Sequence, residues 1–87
     1  MNMKKKDFAI DRVITAITTD GEVERFYPVG EDEFKESIEI NVLQIWYGEY
    51  EKVIAEYNTW DNGVVTRHTM VYTEYGKEPE VSSRVIE

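Results

Sequence analysis

The chain contains no cysteine at all. Disulfides and thiolate metal sites are therefore excluded, and because small secreted domains usually depend on such staples, the expected location is cytoplasmic. Proline is nearly as scarce, with two residues, and glycine numbers five. The glycines stand singly at positions 21, 30, 48, 63 and 76. None makes a Gly-x-Gly-x-x-Gly or Walker-type spacing, so all read as turn punctuation and none as a phosphate cradle. No Asp-x-Asp-x-Asp-Gly calcium loop occurs, and Glu31-Asp32-Glu33 are consecutive, so they cannot all face one ion from a regular element. No apolar run approaches the roughly 20 residues of a membrane helix. The opening Met1-Asn2-Met3-Lys4-Lys5-Lys6 is basic, but Asp7, Asp11 and Arg12 interrupt the stretch that a signal peptide keeps apolar. Neither a cofactor nor a metal is expected.

What is present is acid. Eighteen Asp and Glu face ten Lys and Arg, a net charge of −8 over 87 residues. Lys4–Lys6 fall in residues 1–6, expected to form a flexible basic tail, so the body of the chain is more acidic still. Such a field disfavours direct binding to nucleic acid or to an anionic membrane and favours a cationic partner. The length suits one domain over 1–87. Hydrophobic residues at 41% and aromatics at 13% are enough for a core.

The patterning is mainly that of antiparallel β-structure. Residues 8–19 are dominated by β-branched side chains, with Phe8, Ile10, Ile14 and Ala16 on one face and Val13, Thr15 and Ile17 on the other. Asp20-Gly21 is a hairpin signal, and the return strand Glu22–Val29 contains Pro28, which confines it to an edge or ends it there. Residues 50–60 alternate again, Asn62-Gly63 forms a second tight turn, and 64–75 return before Gly76–Pro79 break the run. Val81–Ile86 add a short last strand. The centre is ambiguous. Phe34, Ile38, Val42 and Ile45 fit one face of a helix near 32–46 that Asp32 could cap. The β-branched content argues instead for a strand over 37–47. The expected fold is a small antiparallel meander, sandwich or partial barrel, and the alternative is α+β with one helix packed on an antiparallel sheet.

Candidate chemistry is thin, and no catalytic residue is assigned. His68 sits mid-strand, and Ser37, Ser82 and Ser83 lie outside any nucleophile-elbow context. An apolar pocket inside a curled sheet, with His68 as the one general base, is the enzyme reading. The aromatics Trp46, Tyr47, Tyr50, Tyr57, Trp60, Tyr72 and Tyr75 concentrate in one stretch. Most should pack in the core or across strands, while Tyr47, Tyr50 and Trp60 are candidate interface anchors. The pairs Glu22/Glu24, Glu31/Glu33 and Glu49/Glu51 stand at i, i+2, which on extended chain places carboxylates on one face about 6.5–7 Å apart. Asp32, Glu36 and Glu39 lengthen that run. A row of this kind can imitate a phosphate backbone, or it can be a solvated face whose charges block edge-to-edge aggregation.

The acidic run Glu31–Glu39, the acid-rich strands and the cysteine-free β-rich body resemble, in general character over most of the chain, small acidic phage-encoded inhibitors that act as DNA mimics. No family-specific motif carries the likeness. It implies a non-enzymatic inhibitor that occupies a basic, DNA-binding surface of a partner protein through Glu22, Glu24, Glu31, Asp32, Glu33, Glu36, Glu39, Glu49 and Glu51. The competing expectation is an assembly module in which the aromatic-rich 46–75 hairpin forms a homodimer or docks on a larger complex.

Overall fold

The computed structural model describes residues 11–86, so the basic tail and the strand residues Phe8 and Ile10 lie outside the described residues. The molecule is mainly β. Strands β1 (Arg12–Thr18), β2 (Val23–Phe26), β3 (Tyr50–Asp61), β4 (Val64–Tyr72) and β5 (Glu80–Val85) form one sheet in the order β2-β1-β3-β4-β5, every pair antiparallel. Helix α1 (Glu31–Trp46) joins β2 to β3. The mainly β, antiparallel fold expected from the sequence is what forms, as one sheet that stays open among the described residues and is not closed into a sandwich or barrel. A single helix covers one face of it, as in the α+β alternative.

The two hairpins form where the turn residues require them. Asn62 and Gly63 both adopt positive φ, 49° and 80°, as a two-residue type I′ turn demands, and Asp61 pairs with Val64 across it. At the other turn Thr18 N–H donates to the Glu22 carbonyl at 2.9 Å, and Glu22 N–H donates back to Thr18 Oγ1 at 2.8 Å. Strand β2 stops at Phe26, two residues before Pro28, and lies at the sheet edge.

The centre is a helix from its first acids onward. This corrects the strand expected over 37–47. Two causes outweigh the β-branched residues. First, β2 and β3 flank β1 on opposite sides and are both antiparallel to it, so they run parallel to each other. Joining parallel strands takes a crossover of a dozen or more residues, for which a helix is the usual solution. Second, the helix is well terminated. Gly48, at φ 82°, donates to the Ile45 carbonyl (3.1 Å), and Glu49 N–H donates to the Gln44 carbonyl (2.9 Å), a Schellman end. At the start, Glu31, Asp32 and Glu33 fill the first turn, where the helix dipole favours negative charge. Asp32 is not the cap. Gly30 holds that position, and Glu33 Oε2 accepts from Val29 N–H at 2.6 Å.

The core lies between α1 and the middle of the sheet. Ile14, Ala16, Val53 and Ala55 are fully buried, and Phe34 and Val42 cover them from the helix. Phe34 meets Tyr57 edge to face, with ring centroids 5.8 Å apart. The register Ile14↔Ala55 and Ala16↔Val53 stacks small and branched side chains under the helix. A bulge ends this pattern. Ile17 pairs with Lys52 but Thr18 pairs with Tyr50, so Glu51 is the extra residue and Tyr50 swings onto the helix side, against the core.

Candidate functional site

The topology sorts the sequence-predicted acids into two groups. Strand β1 ends where β2 and β3 begin, and β4 ends beside the start of β5. Asp20, Glu22, Glu49 and Glu51 therefore share one end of the sheet, tied there by a hydrogen bond from Thr19 N–H to the Glu49 carbonyl (3.2 Å). Glu24 reaches the same end through its side chain, whose Oε1 accepts from the Tyr50 hydroxyl at 2.8 Å. Glu74 and Glu78, absent from the sequence-based set, join from the β4–β5 connection. Two cations lie among them: Lys77, 3.9 Å from Glu74, and Lys52, next to Glu51 at the start of β3.

The second group occupies α1. Glu31, Asp32, Glu33, Glu36 and Glu39 start at the opposite end of the sheet, because the helix runs back from the end of β2 to the start of β3. At 1.5 Å per residue, a helix of 16 residues is about 24 Å long. The expected rows of paired carboxylates are not present. Helical geometry turns Glu31 and Glu33 about 200° apart, Glu49 lies in the turn before β3 with Glu51 in the bulge, and Glu22 precedes β2. Glu31 is partly offset by Lys35, 3.2 Å away.

Burial, and after it the neighbouring carboxylates, raise two tyrosines at the first end. The Tyr50 hydroxyl is pushed up to about 12, first by burial, then by its hydrogen bond to Glu24 and by the charges of Glu24 and Glu49. Tyr72 is also raised, by burial and then by Glu78.

Aromatic side chains border this end. Trp46 and Tyr75 contact each other at 6.1 Å between centroids, and Trp46 is 70% exposed. Tyr47 caps the helix and is 66% exposed. Of the three anchors expected from the sequence, Tyr47 is therefore well placed. Tyr50 is turned into the core, and Trp60 is exposed at the far end beside the Asn62-Gly63 turn. Trp46 and Tyr75 were not singled out from sequence. Their signal was the helical alternative, which puts Trp46 three residues after Leu43 on the outer side of α1. Phe26, Tyr57 and Tyr72 pack against the core, whereas Tyr27, just after β2, is exposed.

His68 is held by hydroxyls. Its Nδ1 is 2.8 Å from Ser83 Oγ, its Nε2 is 2.9 Å from Thr59 Oγ1, and its ring stacks on Tyr57 at 4.8 Å. The register Tyr57↔His68↔Ser83 makes this a cross-strand row. A groove of about 610 Å³ opens nearby, between the first half of α1 and β3–β4, walled by Phe34, Ile38, Tyr57 and Met70 with Arg12 and Lys35 at its rim. Among the described residues no three His, Asp or Glu side chains are arranged to hold a metal ion. No helix there is long and apolar enough to cross a membrane.

Comparison with known protein families, with curated proteins and with solved structures gives no match.

Proposed function

We propose that the protein is a non-enzymatic binding protein that acts on a basic, DNA-binding surface of a partner protein, occupying it in place of DNA. One observation carries this reading: carboxylates from three separate chain segments converge on one end of the sheet, beside the exposed Trp46, Tyr47 and Tyr75. Charge from Asp20, Glu22, Glu49, Glu51, Glu74 and Glu78 steers a cationic surface, and the aromatic rings supply the apolar area that interfaces use as anchors. The helix acids Asp32, Glu36 and Glu39 provide a second, outlying patch about one helix length away. A partner spanning both would release counterions along its length, as on DNA. A cytoplasmic setting fits a cysteine-free chain with such a target.

The test is binding to purified DNA-binding proteins at low salt and at about 0.5 M salt, where the screening length falls to a few Å, with duplex DNA as competitor. Binding should disappear at high salt and be displaced by DNA. The triple variant Glu22→Gln/Glu49→Gln/Glu51→Gln should flatten the salt dependence by about one unit of slope per carboxylate removed. An unchanged slope in that variant, or binding indifferent to DNA, sinks the reading.

A further inference from the structure

The two edges of the sheet are defended unequally. Strand β2 has four residues and is followed closely by Pro28, two of the usual devices against edge pairing. Strand β5 is longer, with six residues, no bulge and no proline inside it, Pro79 standing just before its first residue, and all of its side chains are exposed. Among the described residues nothing lies on its outer side. Its backbone polarity is fixed by the bond from Ile86 N–H to the Val65 carbonyl (2.9 Å). Even-numbered residues of β5 therefore bond to β4, and the N–H and C=O groups of Val81, Ser83 and Val85 point outward.

The charges on β5 are arranged around its middle. Glu80 and Arg84 lie on the same face, two residues either side of Ser82. Arg84 stands directly opposite Arg67, a like-charge cross-strand neighbour. No side-chain hydrogen bond or ion pair joins Arg84 or Glu80 to another described residue. An antiparallel copy of β5 with Ser82 on the two-fold axis would place Glu80 opposite Arg84 of the other copy, twice. In that register Val81 and Ser83 form the hydrogen-bonded pairs, which is what their outward backbone groups require. The Glu80–Arg84 pairs are then non-hydrogen-bonded, where side chains approach most closely. Val81 and Val85, 66% and 65% exposed, gain diagonal apolar neighbours from the partner on the helix side.

We propose that the outer edge of β5 is the interface of a homodimer, in which two copies pair antiparallel about Ser82 and join their sheets into one. This is a different surface from the aromatic-rich 46–75 hairpin expected from sequence, whose strands β3 and β4 are interior in the sheet. The dimer is independent of the acidic-end reading, since pairing leaves Glu22, Glu49 and Glu51 free on each copy.

The experiment is the solution mass of the full chain by light scattering, with circular dichroism as a check on folding. Wild type should run at twice 10.2 kDa. Glu80→Lys and Arg84→Glu alone each face like charge with like charge at both sites and should halve that mass. The double variant Glu80→Lys/Arg84→Glu swaps the pairs and should restore it. Because the chain has no cysteine, Ser82→Cys gives a second readout. Across the axis its Cα would face its twin at about 4.5 Å, within disulfide reach, so oxidation should convert it to covalent dimer, while Thr73→Cys, at a position that is also exposed, stays monomeric on denaturing gels. A monomeric wild type, a dimer indifferent to both single reversals, or no preference for Ser82→Cys over Thr73→Cys overturns the proposal.

Discussion

The half of the sheet made by β1 and β3 and the half made by β4 and β5 contain similar side chains in different surroundings. Ile14, Ala16, Val53 and Ala55 face α1 and are fully buried, whereas Val81 and Val85 on β5 face the same side and stay about two-thirds exposed. The difference is one of coverage. A helix with its side chains is about 10–12 Å across, while five strands at about 4.8 Å spacing make a sheet roughly twice that wide. One helix can cover only the middle. The buried middle supplies the stability of a small domain, and the bare β5 edge is surface that binding can use.

The largest effect that would break this comparison comes from truncating each half in turn. Ile14→Ala should cost about 2–5 kcal/mol in urea unfolding, because the cavity lies under the helix and cannot drain to solvent. Val85→Ala should stay within about 0.5 kcal/mol in the monomer. Equal costs would mean that the two halves are equally packed. Next in size is Gly48→Ala. An alanine at φ 82° is strained and weakens the Schellman end that delivers the chain into β3, for a loss of about 1–2 kcal/mol.

A smaller effect sharpens the electrostatic contrast between the two ends. In a spectroscopic alkaline titration one tyrosine should ionise only near pH 12, and Glu24→Gln should bring it down towards the ordinary 10.0. The sign for stability follows from the raised value. The folded state holds the Tyr50 proton more tightly than the unfolded chain does, so this contribution is whole below about pH 10 and fades as pH rises towards 12. The smallest effect is Tyr50→Phe at neutral pH. Losing one partly exposed hydrogen bond to Glu24 should cost about 1 kcal/mol or less, with the alkaline step removed.

The hairpins were legible because their signals are local. Asn62-Gly63 needs only its own two φ angles, and Pro28 limits β2 whatever surrounds it. The helix was legible as an alternative, since Phe34, Ile38, Val42 and Ile45 do form its inner face. Weighting the β-branched residues above that spacing gave the wrong element, because the need for a crossover between β2 and β3 is a property of strand order, which no local window contains. The acids show the same limit. Their spacing suggested rows on extended chain, yet the helix, the bulge and the turn before β2 leave none of the three pairs together on one regular strand.

By itself, then, the sequence determined the charge of this protein, its freedom from disulfides, its turns and its mainly antiparallel character, since each depends on composition or on residues adjacent in the chain. Only the tertiary structure decided that 31–46 is a helix, which acids meet at one end of the sheet, which aromatics stay outside, and that β5 is left with an open edge. Those outcomes depend on strand order and register, and these are settled by contacts between residues far apart in the chain.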